Sequence, residues 1–173
     1  MENKLIIREY ESPIGPLTLG GHANGSLSFI EHGTFQNKKE WIEKWKNKHQ
    51  PEATIHVNPQ ALNDAVQELE GYFQGKKKSF QTTINLSGTP FQKQVWETLQ
   101  QIPYGQMTTY KQIAEQINHP KAVRAVGGAI NKNPLSIIVP CHRVIGTNQK
   151  LTGYRGGLER KEQLLSLEKN HAY

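Results

Sequence analysis

The sequence predicts an α+β fold in two domains. Residues 1–87 form a small N-terminal α/β domain with an antiparallel sheet, and residues 88–173 form a C-terminal helical domain of winged helix-turn-helix type that carries the one cysteine. Three observations predict this. Short apolar runs broken by Gly, Pro and Asn fill the first thirty residues, as in an antiparallel meander. Thr-x-x-Gln capping boxes at Thr89 and Thr109 open helical stripes in the second half. The charge is also split: residues 1–87 hold ten Lys/Arg and ten Asp/Glu, whereas residues 88–173 hold eleven and five, and so carry the whole net charge of +6.

Residues 5–10 read as a first strand. Pro13, Gly15 and Pro16 force a turn, and residues 17–19 resume extended structure. Asn24-Gly25 suits a two-residue hairpin turn, whose central positions both need positive φ. Residues 26–30 return as the next strand. Across residues 38–48, Trp41, Ile42 and Trp45 share one helical side and the lysines face solvent. In the next helix Asn58 is the cap, Pro59 lies in the first turn, Leu62, Ala65, Val66, Leu69 and Phe73 make the buried stripe, and Gly75 ends it. Lys76-Lys77-Lys78 is a solvated loop. Phe80, Thr82, Ile84 and Leu86 alternate as a last strand. No catalytic constellation stands out in this half.

Ser87-Gly88 reads as the linker. Pro90 at the first helical position and the Thr89/Gln92 box start a helix that buries Phe91, Val95, Trp96 and Leu99. Thr109/Gln112 starts another, with Tyr110, Ile113, Ala114 and Ile117 at helical spacing. Asn118-His119-Pro120 breaks the chain, and a further helix covers residues 121–131. Two short helices and a tight turn in a basic segment suggest a helix-turn-helix. Gly127-Gly128 inside the second helix costs about 1 kcal/mol per glycine relative to alanine. Such a cost points either to close packing against another protein element or to close approach by DNA beside Arg124. Residues 136–139 read as a strand ending at the cysteine, residues 146–153 as the wing, and residues 158–168 as a final helix.

Cys141 is the only cysteine, and His142 and Arg143 follow it directly. A base or positive charge beside a thiol favours the nucleophilic thiolate. Neighbours on a strand point to opposite faces, so a bridging water or a bend after Pro140 is needed to pass a proton from Cys141 to His142. A third group should orient the histidine, and Glu159, Glu162 and Glu168 are all candidates in the last helix. The histidines lack zinc-ligand spacing, so no metal is expected. Neither a phosphate loop nor a dinucleotide fingerprint is present, and no cofactor is expected. One cysteine allows neither an internal disulfide nor redox cycling. With no secretory leader and no apolar run of roughly 20 residues, the expectation is a cytoplasmic monomer with no membrane partner. The residues themselves leave open a single-use repair thiol, a winged-helix binder without chemistry, and a thiol hydrolase.

Pro140-Cys141-His142-Arg143-Val144 resembles the acceptor motif of the O6-alkylguanine-DNA alkyltransferase family, the methylated-DNA–protein-cysteine methyltransferases. Pro103-Tyr104-Gly105, Thr109-Tyr110, Arg124 with Gly127-Gly128, Asn133-Pro134 and Tyr154 with Gly156-Gly157-Leu158 occur in the same order and spacing. The resemblance implies that Cys141 accepts the alkyl group from O6-alkylguanine in double-stranded DNA, with O4-alkylthymine a secondary candidate. It implies that His142 acts through water and is oriented by Glu168. Tyr110 assists base rotation and proton transfer, and Asn133 ties the helical pair to the cysteine segment. Arg124 fills the gap left by the flipped base, and Ala125, Gly127, Gly128 and Asn131 share its DNA-facing helix. Val144, Tyr154, Arg155 and Gly156 line the base pocket. The zinc-binding cysteines of some members are absent from this N-terminal half. Arg155 stands where some members have a smaller residue, which bears on the size of substrate accepted.

Overall fold

The computed structural model describes residues 3–172. The chain divides into two compact units at the boundary between Ser87 and Gly88.

The first unit is built on one four-stranded sheet. β1 (Lys4–Ser12) pairs antiparallel with β2 (Gly15–Gly21), and β2 pairs antiparallel with β3 (Leu27–His32). After α1 (Phe35–His49), β4 (Thr54–Val57) joins the far side of β1 in parallel, giving the order β3-β2-β1-β4. The side chain of Thr34 accepts from the N–H of Asn37 and starts α1, while Lys46, Lys48 and His49 lie where its carbonyl end is negative. Leu5, Ile7 and Phe29 of the sheet bury against Ile42 and Trp45 of α1. The Phe29 ring packs over Gly20, its cross-strand partner. A Cβ at position 20 would stand 2.1 Å from the ring, so only glycine fits there. α2 (Asn63–Phe73) completes the unit.

Three local expectations are corrected in this unit, and one strand is added. The Asn24-Gly25 turn is longer than two residues, and only Gly25 has positive φ. The Asn24 side chain closes it by accepting from Ser26 N at 3.0 Å. Asn58 does not cap α2. It makes a separate turn, accepting from Gln60 N at 2.9 Å, and Leu62, at φ 58°, sets the helix start. Residues 80–86 are not a strand. Their one ladder contact is a bridge between Ile84 and Leu27, and Glu68 of α2 instead takes the backbone N–H of Gln81 and Thr82. β4 was invisible to pattern reading because four residues on a parallel edge show no alternation of burial.

In the second unit the Thr89 and Thr109 boxes cap α3 (Pro90–Leu99) and α4 (Tyr110–Gln116) as expected. The indole N–H of Trp96 donates to Ala129 O at 2.8 Å, fastening α3 to α5 (Val123–Asn131). Asn118, at φ 62°, makes the turn between α4 and α5, a conformation asparagine tolerates. β5 (Thr108–Thr109) and β6 (Val144–Ile145) form a two-residue parallel ladder, and α6 (Leu158–His171) closes the unit. Residues 146–150 turn on a Gly146 N to Lys150 O bond of 3.2 Å, without a β-hairpin among the described residues.

The expected strand before the cysteine is not a strand. Ile137 takes φ 77°, and residues 135–139 fold back on themselves with Val139 N donating to Leu135 O at 2.9 Å. Cys141–Arg143 is a single 3₁₀ turn that feeds β6. No helix among the described residues is long and apolar enough to cross a membrane.

Candidate active site

The cysteine segment is pinned from both sides. Asn133, 2% exposed, donates from Nδ2 to Val139 O at 2.8 Å and accepts from Leu135 N at 2.9 Å. Its backbone carbonyl takes a guanidinium N–H of Arg155 at 2.8 Å. The fold-back held in this way ends at Pro140, where the 3₁₀ turn begins. Adjacent residues on such a turn do not point to opposite faces as they would on a strand.

Cys141 is 6% exposed, at the wall of a cavity of about 490 Å³. Burial pushes its thiol above the ordinary value, against the opposing pull of a hydrogen bond from Asn133 and the charges of Lys161 and Arg155. At rest it is therefore a thiol that needs a base, despite its cationic neighbours.

An imidazole follows it directly in sequence. His142 is completely buried, and its Nε2 meets Glu168 Oε2 at 2.5 Å. Its Nδ1 is buried without a hydrogen-bond partner in the structure. Burial holds the imidazole below its usual titration range. Glu168 pulls it upward through a hydrogen bond and its charge, and Arg143 and Lys161 push it down. Burial would raise the Glu168 carboxyl, but His142 and Arg143 outweigh that and hold it well below the usual carboxylate range. The resulting state is an ionised Glu168 facing a neutral His142. With Nε2 donating to the carboxylate, Nδ1 is the bare, accepting nitrogen.

Two family models cover the chain. Residues 90–170 match the 6-O-methylguanine DNA methyltransferase, DNA binding domain, and residues 5–86 match the ribonuclease-like domain of the same proteins. A methylated-DNA–protein-cysteine methyltransferase of Methanosarcina acetivorans is 48% identical over 92% of this chain and 95% of its own length. One from Mycobacterium tuberculosis is 44% identical over 95% and 93%. The chain belongs to the methylated-DNA–protein-cysteine methyltransferase family.

Solved structures agree with this family in fold. Mycobacterium tuberculosis OGT in complex with DNA superposes with a TM-score of 0.83 at 42% identity, over 96% of this chain and 94% of that one. The O6-methylguanine-DNA methyltransferase of Pyrococcus kodakaraensis gives 0.71 at 27% identity, over 95% and 98%.

Most residues singled out by the methyltransferase resemblance converge on the one cavity. Tyr110, Arg124, Gly127, Asn131, Asn133, Tyr154 and Arg155 line it together with Cys141. The Tyr110 hydroxyl donates to Thr152 O at 2.9 Å, and burial raises its titration, so it is a protonated phenol at neutral pH. Tyr154 shares a hydrogen bond with Ser136, and burial lifts it well above the ordinary tyrosine range. Ala125 and Gly128 are exposed on α5, away from the cavity wall. A Cβ on Gly128 would meet nothing within 4 Å, and one on Gly127 would make only ordinary contact with the Tyr110 ring at 3.8 Å. Internal packing therefore does not explain either glycine.

Two residues expected at the base pocket lie off this cavity. Val144 is fully buried in β6, where its backbone pairs with Thr108, and it does not line the cavity. Gly156 is buried in the turn before α6 and does not line it either.

Sequence reading missed Lys161. It is completely buried, and its ammonium donates to Val144 O at 2.6 Å, Thr152 O at 2.9 Å and Gly153 O at 3.3 Å. Burial lowers it to about 8. It clamps the loop whose Thr152 carbonyl receives Tyr110. A signal existed: positions 161, 164, 165 and 168 share one helical stripe, so a lysine stands in line with buried Leu164 and Glu168.

Proposed function

We propose that this protein repairs double-stranded DNA by moving a methyl or other alkyl group from O6-alkylguanine to Cys141, once per molecule. The observation that carries the proposal is one arrangement: a buried thiol on a cavity wall, followed directly by a buried neutral imidazole that is charge-oriented through Nε2 and bare at Nδ1. The thiol proton passes to His142 Nδ1 through a water, and sulfur attacks the alkyl carbon. An S–C bond forms as the C–O6 bond breaks, and the electron pair leaves with the guanine. Tyr110 gives its proton to the departing base, and the protons balance when His142 returns one through solvent. A thioether is a poor leaving group, and no group at the site breaks it, so the protein acts once.

A base inside a duplex cannot reach a buried sulfur. The lesion must be flipped out, at a cost of a few kcal/mol. Exposed Arg124 on α5 fills the space it leaves, and Gly127-Gly128 lets the backbone lie close to the groove. Residues 88–173 thus bind DNA and accept the alkyl group, while residues 1–87 are structural. The protein works as a cytoplasmic monomer. Tyr154 and Arg155 border the extruded base.

Incubation with duplex DNA carrying O6-methylguanine should add about 14 Da, one CH₂ net, to the peptide holding Cys141, with no second equivalent consumed. An unchanged mass under conditions where the DNA is bound would sink the proposal. Turnover beyond one equivalent would point instead to a hydrolase.

A further inference from the structure

Arg143 belongs by sequence to the basic half, where a DNA contact would be its ordinary role. The structure gives it another. It is 6% exposed, and three guanidinium nitrogens are engaged inside the protein. Nε donates to Glu168 Oε1 at 2.7 Å and Nη2 to Glu168 Oε2 at 3.1 Å, a fork onto both carboxylate oxygens. Nη1 donates to Ile102 O at 2.7 Å, on the turn before β5. The N–H of Gly105, on that same turn, adds a bond to Glu168 Oε1 at 3.1 Å.

We propose that Arg143 is a positioning residue of the thiol relay: its fork fixes Glu168 as an anion that accepts from Nε2–H of His142, and its charge keeps that imidazole neutral with Nδ1 as the acceptor. This rests on the reading of His142 as the base for Cys141.

The argument is one of charge and lone pairs. A carboxylate that receives three N–H bonds from Arg143 and Gly105 stays ionised, and an imidazole nitrogen bonded to it must then donate. His142 supplies that donor from Nε2. Glu168 alone, buried beside an imidazole, would draw a second proton onto it and leave an imidazolium with no capacity to accept. The arginine charge cancels the carboxylate charge, so the imidazole sees a nearly neutral pair. The charged groups acting on His142 are Glu168 and Lys161 from α6 and Arg143 from its own turn. Arg143 touches the carboxylate directly, and its Cζ also lies 5.7 Å from the Tyr104 ring centroid. A residue serving only to tie the 102–105 turn would use the same contacts but would not govern the proton on His142.

The test is ¹⁵N NMR of histidine-labelled full-length protein without DNA, in the parent and in Arg143→Gln and Arg143→Lys. The parent should hold His142 as the neutral Nε2–H tautomer at neutral pH. Arg143→Gln should move its titration to higher pH, and Arg143→Lys, which keeps the charge, should move it less. The acid limb of methyl transfer should shift in the same direction as the NMR titration. An imidazolium or an Nδ1–H tautomer in the parent overturns the proposal, as does a titration that Arg143→Gln leaves in place. If the glutamine variant does not fold, the parent spectrum and the lysine variant decide. The spectra are read without DNA, so this outcome is separate from whether Cys141 takes a methyl group.

Discussion

At the residue scale, Arg124 separates the two jobs proposed for the site. It lines the cavity but is exposed on α5. Its proposed work is to hold a gap open in the duplex, and a free base has no gap. Arg124→Ala should therefore slow transfer from a lesion in duplex DNA by about tenfold or more, since losing part of a flipping energy of a few kcal/mol costs a factor of ten per 1.4 kcal/mol. Transfer from a free O6-alkylguanine base should change little. Single-turnover rates on both substrates check this, and equal losses would remove Arg124 from the flipping step. Cys141 makes the complementary point. Its cationic neighbours do not make it a thiolate, because burial outweighs them, so the proposed transfer calls on His142 as base.

At the element scale, α5 carries a stability penalty that the rest of the unit does not require. Gly128 sits inside the helix, and a Cβ there would meet nothing. Gly128→Ala should stabilise the protein by up to about 1 kcal/mol, the ordinary difference in helix propensity. If the bare backbone serves close approach to DNA, the same change should weaken duplex binding. Chemical denaturation and fluorescence anisotropy on one preparation read both effects. Greater stability with unchanged DNA affinity would leave the glycine without a binding role. α6 shows the opposite pattern: its inward stripe holds Lys161 and Glu168 beside Leu164, and each charge is matched by carbonyls or by His142 and Arg143.

At the scale of the whole molecule, the buried charge network makes stability depend on pH. His142 titrates below its ordinary value of 6.5 in the folded state, so the unfolded chain binds its proton first. The stability this represents is present above pH 6.5 and is lost as pH falls below it. Glu168 is held below its ordinary value of 4.5, so its contribution is present above 4.5 and is lost as pH falls further. Denaturation midpoints should therefore decline in two stages on acidification. The indole N–H resonance of Trp96, bonded to Ala129 O, reports the unit that contains both groups. A midpoint unchanged from pH 7 to pH 4 would contradict the neutral, buried state of His142, because a titration shifted on folding must appear as a slope.

The sequence by itself determined the local features. Capping boxes, helical stripes and the Cys141-His142-Arg143 run are made by residues within a few positions of one another, so they were legible before any packing was known. So was the family, whose motifs follow one another along residues 88–173. The tertiary structure decided what distant residues do together. Glu159, Glu162 and Glu168 were equal by composition, and only the docking of α6 brings Glu168, 26 positions away, to His142. Lys161 carried no sequence signal strong enough to single it out, and Arg143 read only as a charge beside the thiol, until their carbonyl and carboxylate partners were in place. Residues 136–139 have the β-branched profile of a strand, yet Asn133 and the left-handed Ile137 fold them back. Propensity is worth tenths of a kcal/mol per residue, and a buried hydrogen bond left unmade costs 1 kcal/mol or more, about enough to override it. Short-range pattern could place the sulfur in the chain. Long-range packing alone could bring the Glu168 carboxylate against the imidazole and guanidinium that follow it.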